Sequence, residues 1–361
     1  MNTKPETSKN ILRRPGKFVW KVVLSLVLLS VFLVIITSLY EANMRKKDRL
    51  DFPPLGQMVD VGNYKMHIYC KGEGSPTVIF DSGGGGWSLQ WLNEIEEISK
   101  FTKVCAYDRA GLGWSEKGKE PISSLQSVKS LEVLLTKAGI NPPYILGGHS
   151  YGGGNMRLFA YRNPDKVVGL VLIDSSSDYA SNHMPEEITK SNQSQVMLYK
   201  GVSLASKTGI IRILGQSSGK PDPEKLPPFA RDIVNSIPSE YQQTYMVWFL
   251  HSLDAMAAEY GSIQESAAQV AQADNLGDLL LIVIRHGKQG SEFSVFSESI
   301  RSEYEKAWEK GQQELADLST SSKLLVSNKS THNIPHDDPE IIVSSVKDLF
   351  ERYINAPLSA R

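Results

Sequence analysis

The chain has 361 residues, 41% hydrophobic and 22% charged, with 39 Lys and Arg against 40 Asp and Glu for a net charge of -1. That composition excludes a disordered, collagen-like or disulfide-stapled protein and leaves room for one large core or two modest ones. Balanced charge also argues against a nucleic-acid partner, because neutralising phosphates needs a surplus of Lys and Arg on one face.

The average conceals a split along the chain. Residues 1–50 carry ten basic residues and three acidic ones, which leaves 29 basic and 37 acidic residues for 51–361. Within the basic part, 1–21 reads as a polar tail. Residues 22–40 run for nineteen positions without a charge or a proline. As a helix that is roughly 28 Å, close to the ~30 Å hydrocarbon core of a bilayer. A buried core helix is rarely apolar on every face for so long. A cleaved signal peptide has an apolar region of ~7–15 residues ending at small residues, whereas here the nearest small residue, Ala42, has Tyr40 two positions before it. The segment is therefore read as one uncleaved transmembrane helix, with 41–54 as a linker. Six basic residues precede it and four follow, so the amino terminus is expected in the cytoplasm and the rest of the chain on the other side.

Beyond residue 54, short β-rich runs at 57–61, 64–70, 77–80, 104–107, 144–147, 168–173, 279–285 and 323–327 alternate with helical patterns at 91–100, 124–138, 151–162, 298–318 and 338–355. The alternation predicts an α/β domain over 55–361, built on an eight-stranded sheet that starts antiparallel and is mostly parallel from the third strand onward. Residues 178–275 show Pro clusters and amphipathic stretches at 196–204 and 241–253 but no clear strand. So long an interval is read as a mainly helical cap insertion over the carboxyl edge of the sheet. Ile210, Ile211, Phe229, Trp248 and Phe249 would form the insertion's own core or line a pocket.

Gly148-His149-Ser150-Tyr151-Gly152 fits GxSxG, the sharp strand-to-helix turn that exposes a nucleophilic serine. A second match, Gly215-Gln216-Ser217-Ser218-Gly219, runs into Lys220-Pro221-Asp222-Pro223, which cannot start a helix directly, so Ser150 is the candidate nucleophile. A serine hydroxyl needs a base to take its proton and donors to hold the oxyanion. The Tyr151 N–H supplies one donor. The second is expected in Ser82-Gly83-Gly84-Gly85-Gly86 after the third strand. A phosphate-cradling loop is disfavoured, since no Lys-Ser or Lys-Thr follows. The base should follow the last strand, where His332 and His336 lie. His332 is nearer the strand end, while His336, beside Asp337 and Asp338, suits a solvated helix start. His149 neighbours the nucleophile in sequence, so its side chain should point away, with packing as its role.

These landmarks resemble the α/β-hydrolase fold over residues 55–356: the glycine loop with Trp91 downstream, the turn Tyr107-Asp108-Arg109-Ala110-Gly111-Leu112-Gly113-Trp114-Ser115, the elbow, and a histidine seven residues before Pro339. The resemblance implies that Gly84 is the second oxyanion donor and that Asp108 and Arg109 are structural. The departure concerns the acid. The family usually places an Asp three residues after a glycine ending the seventh strand, and here that register, from Gly287, falls on Gly290. Some members carry the acid directly after the sixth strand, where Asp174 stands; Glu292 is the alternative. The family's sheet order puts Cys70 and Cys105 on neighbouring strands, as a disulfide or as two free thiols. The resemblance implies a serine hydrolase acting on a small acyl substrate without metal or cofactor. An acyltransferase or aminopeptidase-like amidase of the same fold, or a binding module that kept the fold, are the other readings. A serine at the elbow argues against haloalkane dehalogenases and epoxide hydrolases, which use Asp there.

Overall fold

The computed structural model describes residues 16–217 and 233–357. Phe229, and the side chain of Ser217, lie outside the described residues. Eight strands form one sheet: β1 (Gln57–Asp60), β2 (Lys65–Lys71), β3 (Thr77–Asp81), β4 (Val104–Tyr107), β5 (Tyr144–His149), β6 (Val167–Ile173), β7 (Leu281–His286) and β8 (Ser322–Ser327). Their order is β1-β2-β4-β3-β5-β6-β7-β8. The β1/β2 and β2/β4 pairs are antiparallel and the other pairs parallel. The strands expected from the sequence are all present, with ends shifted by one or two residues.

Helices cover both faces. Alternate strand residues point to opposite sides of a sheet, which divides the core in two. Ile79, Leu146, Leu172 and Val283 pack with α3 (Ser124–Lys137) and α4 (Tyr151–Arg162). Phe80, Ala106, Val171 and Ile284 pack with α2 (Leu92–Ile98) and the last helix, α12 (Pro339–Asn355). Between β6 and β7 lies the helical insertion: α5 (Asp178–Asn182), α6 (Glu186–Lys207), α7 (Ile210–Ser217), α8 (Ser239–Gly261) and α9 (Ile263–Val270). After β7 come α10 (Glu298–Ala316) and, ahead of α12, the short α11 (Ile334–Asp337). Trp248 is buried where the insertion packs on the loops after β3 and β4, in one cluster with Trp87, Leu112 and Trp114 rather than in a core of the insertion's own; Phe249 packs against that cluster, whereas Ile210 is exposed.

The first helix, α1 (Lys17–Asp51), does not stop at residue 40. No glycine or proline interrupts 41–52, so the backbone keeps its hydrogen-bond ladder until Pro53 and Pro54 end it. What reads as a linker is thus largely helix. Its Glu41 and Asp48, two turns apart on one face, are buried and both accept from the Arg212 guanidinium of α7, at 2.6 and 2.7 Å. His251 of α8 adds a 3.0 Å contact to Asp48, and Arg45 donates to Ser206 of α6. The apolar stretch before it is long and hydrophobic enough to cross a membrane, and none of it is buried.

Cys70 and Cys105, directly opposite each other in the β2/β4 pair, form a disulfide.

Candidate active site

Ser150 stands between β5 and α4 with φ 52° and ψ -118°. A residue with a side chain holds this left-handed geometry only where its surroundings enforce it. The flanking glycines show why nothing larger fits. A Cβ on Gly148 would fall 2.6 Å from the Gly152 carbonyl oxygen, and one on Gly152 would fall 2.5 Å from the carbonyl oxygens of Asp81 and Ser82. The Ser150 N–H donates to the Ile173 carbonyl at 3.0 Å, which brings the ends of β5 and β6 level. That places Asp174, also at positive φ (42°), beside the elbow.

A hydrogen-bonded series follows. The His332 Nε2 lies 3.0 Å from the Ser150 Oγ, and its Nδ1 lies 2.6 Å from the Asp174 Oδ2. Asp174 is fully buried. Burial by itself would raise its pKa, but hydrogen bonds from His286 and His332 hold the carboxyl well below the ordinary range, so it stays ionised. Glu292 lies in a short 3-10 turn, Ser291–Val295, and its side chain is outside the described residues.

Sequence reasoning missed three residues around this carboxylate. Trp308 of α10 donates its Nε1–H to Asp174 Oδ1 at 2.9 Å. His286, the last residue of β7, donates from Nδ1 to Asp174 Oδ2 at 2.7 Å and from Nε2 to Glu305 at 3.1 Å. Burial works against its charge, yet the two carboxylates raise its pKa to about 10, making it a buried imidazolium. The one available signal was its position, immediately before the Gly287 from which the usual acid register is counted. Asp174, His286 and His332 bring possible metal-ligand atoms within 4.8 Å of one another. Both imidazoles, however, aim Nδ1 at the same carboxylate oxygen. They meet it as proton donors, and a metal would have to displace both contacts.

The His149 ring lies 4.9 Å from that of His332, and its Nε2 lies 2.8 Å from the His332 carbonyl oxygen. Burial drives its pKa down to about 3, so the ring is neutral and donates from Nε2. It thereby steadies the backbone of His332. His336 lies in α11 beside Asp337, 4.0 Å away.

Opposite the elbow, the glycine loop is clamped from below. Arg109, buried, pairs with Asp81 and donates to the carbonyls of Ser82 and Gly83, the latter at 2.8 Å. It also pairs with Glu259 of α8 at 2.6 Å, and Glu259 accepts the Gly85 N–H at 2.7 Å. Trp91 donates to the Ser82 hydroxyl at 2.8 Å. Among the described residues, neither the Gly84 nor the Tyr151 N–H meets an acceptor. Both residues border a cavity of about 120 Å³, with Ser150, Tyr260, Ile263 and Val270. The side chains at its wall come mainly from α9 and from residues 176–181, which lead into α5, with Tyr151 of α4 and Glu259 and Tyr260 of α8. Trp248, Phe249, Ile210 and Ile211 do not border it; Trp248 and Phe249 pack in the cluster around Trp87 and Trp114, and Ile210 is exposed.

The sheet order, the elbow and the helical insertion define an α/β-hydrolase fold, and residues 76–202 match the family described as alpha/beta hydrolase fold. An uncharacterized protein of Bacillus subtilis, YqjL, is 26% identical over 283 residues, 78% of this chain and 85% of its own. The haloalkane dehalogenase DatA from Agrobacterium tumefaciens superposes with a TM-score of 0.58 at 16% identity, over 82% of this chain and 96% of its own. A thermophilic esterase from Thermogutta terrifontis gives 0.54 at 17% identity, over 80% of this chain and 94% of its own.

Proposed function

We propose that the protein is a membrane-anchored serine hydrolase that cleaves an ester through an acyl-enzyme on Ser150. The observation that carries this reading is the Ser150–His332–Asp174 series at the wall of a cavity. His332 Nε2 takes the hydroxyl proton as Ser150 Oγ attacks the carbonyl carbon. The carbonyl electron pair moves onto oxygen, held by the N–H groups of Gly84 and Tyr151. Collapse breaks the bond to the leaving alkoxide, which takes the proton from His332. Water then gives a proton to His332 and attacks the acyl-enzyme, and the acid leaves as Ser150 recovers its proton. Asp174 stays ionised throughout and orients the imidazole. Of the neighbouring activities, the esterase suits a hydroxyl nucleophile.

The cavity volume supports a small acyl group, since pockets for drug-sized ligands run to ~300–1,000 Å³. With p-nitrophenyl esters, kcat/KM should be higher for acetate or butyrate than for palmitate. A fluorophosphonate should label the wild type and spare Ser150→Ala; undiminished esterase activity in that variant would overturn the assignment.

The anchor is read as residues 22–40, after a cytoplasmic tail at 1–21 and before a catalytic domain at 55–361 on the extracytoplasmic side. The Cys70–Cys105 disulfide supports that side, because disulfides persist in oxidising compartments. Protease added to intact cells should degrade the catalytic domain. Full protection would reverse the orientation.

A further inference from the structure

The contact between α1 and the insertion fixes how deep the insertion sits beside the apolar stretch. Gly209, which joins α6 to α7, lies so close to α1 that a Cβ there would fall 2.6 Å from the Thr37 carbonyl oxygen. Thr37 is within the uncharged run of 22–40, about 4.5 Å of helix before Tyr40. The start of α7 is therefore level with the last turn of that run.

Around this level the outside of the insertion exposes a group of apolar side chains, interspersed on α6 with the exposed Lys200 and Lys207. Arg212 turns from α7 toward Glu41 and Asp48, while Ile210, Ile213 and Leu214, at i, i+3 and i+4, share the opposite face. The preceding α6 adds Met197, Leu198 and Leu204. These six are 41–72% exposed. Among the described residues, the other exposed large hydrophobics beyond α1 are scattered over distant elements, as Val133, Tyr161, Val295, Val326 and Ile354, and scattered ones are ordinary for a soluble surface. Lys46 and Arg49, also exposed, follow the apolar run one to three turns on, at the depth of lipid headgroups.

We infer that the outer face of α6 and α7 is a membrane-docking surface, its apolar side chains seated at the headgroup–acyl boundary of the bilayer that α1 spans. The inference rests on reading α1 as a membrane span. An amphipathic helix lying in the interface buries one such face ~5–10 Å into that boundary, which matches a helix starting level with Thr37. The same insertion covers Ser150, so the cover of the candidate active site is the part held at the lipid surface.

The test uses the full chain in phosphatidylcholine nanodiscs. Both native cysteines are in the disulfide, so one introduced cysteine carries a nitroxide at a time: Leu198→Cys, Leu214→Cys, Leu29→Cys for the span and Val295→Cys for water. At 198 and 214, dissolved oxygen should relax the label several-fold more effectively, relative to a water-soluble nickel chelate, than at 295. If 29 is shielded from nickel while 198 and 214 match 295, the docking surface is refuted and the span stands. If 29 also matches 295, α1 does not span and both readings fall. Dipolar broadening at 214 that disappears on dilution with unlabelled protein would assign the face to a second copy, and would also refute docking.

Discussion

Four donors converge on the Asp174 carboxylate: the Nδ1 atoms of His332 and His286, the His286 backbone N–H and the Trp308 indole. A carboxylate so surrounded is fixed in charge and direction, which is what orienting an imidazole requires. Asp174→Asn puts an amide where two imidazole donors expect an acceptor, and kcat should fall by about 10⁴-fold. Glu292→Gln should leave it unchanged. His286 makes a different demand. Its folded pKa of about 10 lies above the ordinary 6.5, so its contribution to stability is full below about pH 6.5 and is lost as the pH rises through 10. His286→Gln should therefore lower the urea midpoint more at pH 6 than at pH 10, and an equal deficit at both would deny the imidazolium. The proposed nucleophile and base, Ser150 and His332, could be picked out because each sits in a local pattern beside a strand end. The ring around the acid could not, because Trp308 comes from a helix over 130 residues away and His286 from β7, and both meet Asp174 only through the parallel pairing of β6 and β7.

Among the elements, α8 has two faces of consequence. Trp248 and Tyr245 pack on Trp114 and Trp87 of the loops beneath the insertion, while Glu259 near its end reaches down to Arg109 and the Gly85 amide. Arg109 in turn holds the carbonyls of Ser82 and Gly83, so the orientation of the Gly84 N–H depends on a helix of the insertion. Glu259→Gln keeps an acceptor for Gly85 but leaves Arg109 with Asp81 as its one charged carboxylate. Turnover should drop about tenfold with KM little changed, a fraction of the 10²–10³ that losing an oxyanion donor outright costs. A change confined to KM would place Glu259 in binding instead. Amphipathic spacing predicted helices in the insertion correctly but not what they touch. Trp248 and Tyr260 lie on the same helix, and only the tertiary arrangement sends one to the cluster around Trp114 and the other to the cavity. The extension of α1 was hidden for a related reason: a cluster of Arg and Lys after an apolar run reads as a polar linker, while Glu41 and Asp48 become interior residues only once Arg212 is beside them.

For the molecule as a whole, the near-zero charge is the sum of a basic first part, residues 1–50, and an acidic remainder. The two are joined by more than the chain, since α1 packs on α6 and α7 through buried ion pairs. The disulfide adds a covalent tie across a sequence separation of 35. In the chain-entropy picture a closure of that length is worth about 4 kcal/mol, so reduction should lower the Tm by several degrees, measured with and without a phosphine reductant. An unchanged Tm would show the bond to be absent in solution. The same bond has a topological consequence. Residues 70 to 105 enclose β3, the glycine loop and α2, so the proposed oxyanion donor Gly84 lies on a closed covalent ring. A protease that cuts once inside this ring leaves a single molecule with both ends of the loop still tethered, and the two fragments part on a gel only after reduction.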